Sequence, residues 1–95
     1  MIKRTDLMAK ALGITTSINR KSREERSIQP PGLFGEDYNR LRDFAAASFP
    51  DLEQLMPPKV TFYDGGNNTK WTQQSYTEID SFAHQVYEIL SQQAD

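Results

Sequence analysis

The segment from Ser75 to Gln92 carries the most regular hydrophobic pattern in the sequence, and it constrains the fold most strongly. Apolar side chains recur every three or four residues along one face, while polar side chains fill the opposite face. The apolar stripe consists of Ile79, Phe82, Ala83, Val86, Ile89 and Leu90. Ser75 and Glu78 have the spacing of a capping box, which begins a helix. The pattern predicts a long amphipathic helix that must bury one face.

A β-hairpin is predicted immediately before this helix. Residues 59–64 alternate in polarity, residues 69–73 are also rich in β-prone side chains, and the glycine- and asparagine-rich segment 65–68 separates the two runs. A short loop of this composition between two such runs is a strong hairpin signal. Because a two-stranded ribbon is marginal in water on its own, the hairpin needs a helix to cover its apolar face.

The register of the hairpin decides which side chains face the core. A two-residue turn at Gly65 and Gly66 places Val60 opposite Trp71, whereas a four-residue loop over 65–68 places Phe62 opposite Trp71. Both registers put the three large side chains on one face, and only a three-residue loop with a bulge would move Trp71 to the other face. We predict that Val60, Phe62 and Trp71 face the core.

Two further helices are predicted before the hairpin. The first covers residues 5–12 and ends at Gly13, which is placed as a residue just beyond a helix end. The second covers residues 34–49, where Phe44 broadens an apolar stripe and Pro50 ends the helix. The sequence therefore predicts a small single α+β domain of order α-α-β-β-α, with a two-stranded antiparallel hairpin packed on the C-terminal amphipathic helix.

The chain divides into two sections by charge. Residues 1–26 carry seven basic and three acidic side chains, a net charge of +4, whereas residues 27–95 carry four basic and ten acidic side chains, a net charge of −6. The run 19–27 contains no apolar side chain and is followed by two prolines. We expect residues 1–32 to form a basic N-terminal helix with a polar, flexible connector, and residues 33–95 to form a compact α+β body.

Composition excludes several classes of site and location. The chain has no cysteine, so it can form no disulfide, thiolate nucleophile or cysteine-based zinc site. His84 is the only histidine, which excludes a histidine-rich metal cluster, and no cofactor or metal site is predicted. No stretch approaches the ~20 apolar residues of a membrane span, and the basic N-terminus lacks the apolar segment of a secretory signal. The expected location is the cytoplasm.

No pair or triad of side chains has the spacing of a catalytic site. His84 lies away from the apolar stripe of its helix, and no second titratable group is fixed beside it by the sequence. Asp64 precedes Gly65 and has the character of a turn residue. Acidic pairs such as Glu24 and Glu25 are adjacent in sequence, which does not set the separation that paired catalytic carboxylates need. We therefore expect that the protein is not an enzyme.

The leading hypothesis is a small binding, adaptor or regulatory protein that acts through a protein partner. The first predicted helix, extended by Ile14 and Ile18, has an apolar face that can dock on the body, on a second copy of the chain or on a partner. Docking on a second copy would make a homodimer. No small-molecule substrate is indicated by the sequence.

The alternative hypothesis is nucleic-acid binding by the basic N-terminal segment. Residues 7–14 resemble the first helix and turn of a helix-turn-helix, and in a winged-helix version of this idea residues 59–74 would be the wing. Phosphate contacts by basic side chains supply most of the affinity of nucleic-acid binders. The candidate contacts to a nucleic acid or an acidic partner are Arg20, Lys21, Arg23 and Arg26.

Overall fold

The computed structural model describes residues 3–93 and has the predicted α+β architecture. Its elements in chain order are α1 (Arg4–Asn19), α2 (Arg23–Arg26), α3 (Gly32–Ser48), a 3₁₀ helix (Pro50–Leu55), β1 (Phe62–Gly66), β2 (Thr69–Thr72) and α4 (Tyr76–Ser91). The two strands pair in an antiparallel hairpin. The hairpin and the helices enclose one hydrophobic core, so the predicted fold class is confirmed.

Helix α4 forms as its sequence pattern predicts. The backbone N–H of Glu78 donates to the Ser75 hydroxyl at 3.2 Å, and the backbone N–H of Ser75 donates to the Glu78 carboxylate at 3.3 Å. This capping box satisfies two backbone donors that a helix start would otherwise leave unpaired. The most deeply buried part of the apolar stripe consists of Ile79, Ala83, Val86 and Leu90.

Helix α1 is longer than predicted, because it continues through Gly13 to Asn19. Gly13 does not adopt the positive φ of a helix-ending glycine. Leu7, Ala11 and Ile18 are fully buried, so the packing of both halves of the helix outweighs the cost of about 1 kcal/mol for one interior glycine. The prediction that this helix ends at Gly13 was therefore wrong.

Helix α1 packs antiparallel along α4. At one end of the pair, the guanidinium of Arg4 donates to the backbone carbonyl of Leu90 at 3.1 Å. At the other end, the side-chain amide of Asn19 donates to the Asp80 carboxylate at 3.4 Å. Residues of α1 therefore belong to the same core as residues of α3 and α4. Gly32, the last residue of the predicted N-terminal section, is the first residue of α3.

The hairpin register differs from both predicted registers. Tyr63 pairs with Trp71, Phe62 pairs with Thr72, and the ladder shifts at Gly65. Thr72 is fully buried on the core side, whereas Trp71 lies half-buried on the opposite side, the side of the exposed Tyr63. The prediction that Trp71 faces the core was wrong.

The position of the tight turn explains this difference. Asn67 and Asn68 form the two-residue turn with φ values of 53° and 61°, the left-handed conformation that a type I′ hairpin turn requires. Gly65 is then an extra residue on β1, and such a bulge reverses the faces of the residues that precede it. Asparagine adopts positive φ more readily than most other residues with a side chain, so the Asn-Asn pair competes with the Gly-Gly pair for the turn.

Helix α3 lies directly against the segment that leads into the hairpin. A Cβ built on Gly35 would lie 2.5 Å from the Thr72 hydroxyl oxygen and 2.9 Å from a ring carbon of Phe62, so glycine is required at this contact. The side chain of Asn39 accepts from the backbone N–H of Val60 at 2.8 Å and donates to its carbonyl at 3.1 Å. These contacts fix α3 on the hairpin and leave its other side facing α1.

Candidate interaction surface

The four basic residues predicted as contacts lie where α1 ends and α2 follows, and they differ in exposure. Arg20 and Arg23 are exposed, whereas Lys21 and Arg26 are half-buried. The structure therefore brings the four residues into one segment but leaves only two of them fully available to a partner.

Each of the two half-buried cations contacts another side chain of the same protein. The Lys21 ammonium lies 4.7 Å from the centroid of the Tyr76 ring, within the range of a cation–π contact. The guanidinium of Arg26 donates to the Asn19 side chain at 3.4 Å. The carboxylates of Glu24 and Glu25 in the first turn of α2 reduce the net positive charge of the same segment. Nucleic-acid binding by this segment stays a prediction.

A groove between α1 and α3 is an apolar depression that the sequence did not reveal. It encloses about 380 Å³. The α1 wall consists of Lys10, Gly13, Ile14 and Ser17, and the α3 wall consists of Phe34, Asp37, Arg40, Leu41 and Phe44. Because α1 and α3 are held by other parts of the core, the groove is a feature of the folded chain itself.

One exposed apolar side chain, Leu33, lies beyond the groove on α3. Leu33, Asp37, Arg40 and Phe44 follow one another at helical spacing and share one stripe of the helix. Phe44 is 39% exposed and Leu33 is 76% exposed. The sequence pattern predicts Phe44 in a broad core-facing stripe, but in the structure Phe44 lies at the edge of the groove. The apolar stripe of α3 is wider than a single core-facing row, and this extra width in the sequence indicates a second apolar surface outside the core.

Gly13 lies in the α1 wall of this groove and faces open space. Among the described residues, a Cβ built on Gly13 meets no atom within 4 Å beyond its own helical neighbourhood. Its backbone has helical geometry, so neither conformation nor packing inside this chain requires a glycine. A glycine in a helix interior nevertheless costs about 1 kcal/mol relative to alanine.

The walls of the groove carry charges of both signs. The Arg40 guanidinium lies 3.5 Å from the Asp37 carboxylate on the α3 wall, and both side chains are well exposed. Lys10, on the α1 wall, forms no ion pair with any of residues 3–93. The groove therefore has an apolar centre and a charged, solvent-accessible rim.

A second depression beside the start of α4 is polar and internally satisfied. It lies between Ser27, Gln29, Gln73 and Ser75. The Gln29 side-chain amide donates to the carbonyl of Gln73 at 2.9 Å, and Ser75 is engaged in the capping box. These groups hold the chain together, and they leave no polar atom aimed at a ligand in this depression.

The ionisable groups that are buried have structural roles. The Tyr38 hydroxyl donates to the Pro58 carbonyl at 2.9 Å, and burial raises the pKa of this phenol above its ordinary value. His84 is exposed on α4. Within the described part of the chain, no group of three or more histidine, cysteine, aspartate or glutamate side chains could hold a metal ion.

The groove between α1 and α3 is therefore the candidate functional site. Across residues 3–93, no helix is long and apolar enough to cross a membrane. Comparison of the chain with protein-family models, with curated proteins and with solved structures finds no match.

Proposed function

We propose that this chain is a small, non-enzymatic binding protein of the cytoplasm, with an adaptor or regulatory role, and that it docks another protein chain in the groove between α1 and α3. The observation that carries the proposal is the apolar groove itself, with Gly13 in one wall and the exposed ring of Phe44 in the other. An apolar centre surrounded by a polar rim is the usual anatomy of a protein interface.

A protein chain fits this surface better than a small molecule does. Small-molecule sites enclose most of the ligand surface. Here the groove is open to solvent, since Phe44 in its wall is 39% exposed, and a further exposed apolar side chain, Leu33 at 76%, lies on the same stripe of α3 beyond Asp37 and Arg40. A helix that lays an apolar face along the groove would cover both side chains, and helix-in-groove docking is a common mode of recognition.

The test blocks the groove without disturbing the fold. Gly13→Gln introduces a long side chain where a Cβ has open space, and glutamine is a good helix former. Thr16→Gln is the matched control, because Thr16 is exposed on the same helix and does not line the groove. Circular dichroism and thermal unfolding should show that both variants fold like the wild type.

Tagged wild-type chain and the two variants are then used to capture proteins from an extract of the native source, with quantitative mass spectrometry as the readout. The untagged copy of this chain that the extract contains is counted among the captured proteins. We expect wild type and Thr16→Gln to retain the same protein and Gly13→Gln to lose most of it. If all three chains retain the same proteins in the same amounts, the groove is not the docking surface.

A further inference from the structure

We propose, on the basis of the function proposed above, that the occupant of the α1–α3 groove is a second copy of this chain, related by a two-fold axis that places α1 of each copy against α3 of the other.

The same face of the molecule carries both a recess and projections. A two-fold interface uses one surface patch twice, so the patch must be complementary to itself. The recess is the groove beside Gly13 and Ile14. Leu33, which is 76% exposed on α3 outside the groove, is the main projection, and Phe44 projects from the groove wall itself, where it is 39% exposed. In a two-fold pair each copy inserts an apolar side chain into the groove of the other and receives one in return.

The charges on the two walls favour the same arrangement. Lys10 lies on the α1 wall and Asp37 on the α3 wall, and they line one groove without forming an ion pair with each other. When α1 faces α3 of a second copy, Lys10 of each copy faces Asp37 of the other. Asp37 already lies 3.5 Å from Arg40 of its own helix, so Lys10 of the other copy would be a second cation beside this carboxylate, and Arg40 offsets part of the attraction. Such reciprocal pairs chiefly select register and partner.

Gly13 gives the closest point of contact between the copies. The distance between packed helices depends on the side chains at the contact, and a glycine permits the shortest approach. No contact within residues 3–93 uses this space, although a helix pays a stability cost for the glycine. A helix of the second copy that passes over Gly13 would fill this open space.

The size of the face predicts a weak, reversible dimer. Helices α1 and α3 contain 16 and 17 residues. Each is therefore about 24 Å long and about 10 Å wide, so together they offer roughly 500 Å² of projected area. A standard interface buries about 800 Å² per partner, which places this one at the small end. Measurements should therefore extend from about 1 µM to about 1 mM.

The test is sedimentation equilibrium of the full chain across that range. We expect the mean mass of the wild type to rise from monomer towards dimer as concentration increases. Gly13→Gln should weaken dimerisation by about 10-fold or more, which corresponds to about 1.4 kcal/mol of binding free energy. Thr16→Gln should leave the dissociation constant within about twofold of the wild type, as expected for a surface change outside the contact.

A charge exchange tests the two-fold arrangement directly. Lys10→Asp and Asp37→Lys should each weaken dimerisation, because each places like charges opposite one another. The double variant should recover most of the loss, because the pairs re-form with their signs exchanged. Both positions are exposed, so this arm also decides the question if Gly13→Gln fails to fold.

Three results would overturn the proposal: a wild type that stays monomeric throughout, a dimer that Gly13→Gln does not weaken, and a double variant that recovers nothing. A monomeric chain whose groove still captures another protein would refute the second copy as occupant and leave the proposed function intact. Loss of all groove-dependent capture, including that of the untagged chain, would refute the proposed function as well.

Discussion

At the scale of single residues, Gly13 and Gly35 show how surroundings decide the effect of the same substitution. Gly13→Ala adds a methyl group in open space and should raise the free energy of unfolding by about 1 kcal/mol through helix propensity. Gly35→Ala places a methyl group 2.5 Å from the oxygen of the buried Thr72 and should lower it by about 1–3 kcal/mol. Denaturant unfolding monitored by circular dichroism measures both. Equal effects of the two substitutions would contradict the packing described for α3.

The buried phenol of Tyr38 should make stability depend on alkaline pH. Burial raises the pKa of Tyr38 in the folded chain, whereas an unfolded tyrosine loses its proton near pH ~10. The unfolded state therefore binds fewer protons above that pH, and this contribution to stability, complete below pH ~10, is lost as pH rises further. Tyr38→Phe should remove this part of the fall above about pH 10. Denaturant titrations of both chains at several pH values provide the check, and parallel curves would contradict it.

At the scale of elements, the hairpin turn offers a test that separates the observed register from the predicted one with a turn at Gly65 and Gly66. With the turn at Asn67 and Asn68, Asn68→Gly should stabilise the hairpin by a few tenths to about 1 kcal/mol, because glycine adopts the positive φ without strain. With the turn at Gly65 and Gly66, residue 68 would lie in a strand and the same change would destabilise it. Thermal unfolding followed by the fluorescence of Trp71 distinguishes the two outcomes.

The bulge can be tested separately. A Cβ on Gly65 would overlap the indole of Trp71, so Gly65→Ala should displace the indole and destabilise the hairpin by about 1–3 kcal/mol. The expected sign is opposite to that of Asn68→Gly, and tryptophan emission should shift as the indole moves. An unchanged spectrum and an unchanged melting temperature would show that Trp71 does not cover Gly65.

What could be predicted from the sequence was local to each element. The capping box of Ser75 and Glu78 and the stripe behind it specify α4 without reference to the rest of the chain. The end of α1 could not be predicted from Gly13, because the packing of Ile18 in the core outweighs that glycine. The groove could not be predicted either. It exists only because α4 and the hairpin set the distance between α1 and α3, which is a property of the assembled core.

At the scale of the whole molecule, the core joins the two sections that the charge pattern separates. Helix α1 contributes three fully buried apolar side chains, Leu7, Ala11 and Ile18, and it lies along the apolar stripe of α4. Burying a large apolar side chain contributes about 1.5–3 kcal/mol. A domain of this size has a net stability of about 5–15 kcal/mol, so the loss of α1 would remove a large share of it.

A shortened chain that begins at Ser27 should therefore fail to fold cooperatively. Without α1, the core would lose the buried side chains of Leu7, Ala11 and Ile18, and the remaining helices and hairpin would have to hold the core alone. We expect the shortened chain to show weak near-ultraviolet circular dichroism and a broad thermal transition, whereas the full chain should show a sharp transition. The full chain with Arg20→Ala and Arg23→Ala is the control, since both side chains are exposed and should change stability by no more than about 0.5 kcal/mol. A shortened chain with a sharp transition and dispersed amide resonances would show instead that residues 33–95 form a body of their own, on which α1 is an attachment.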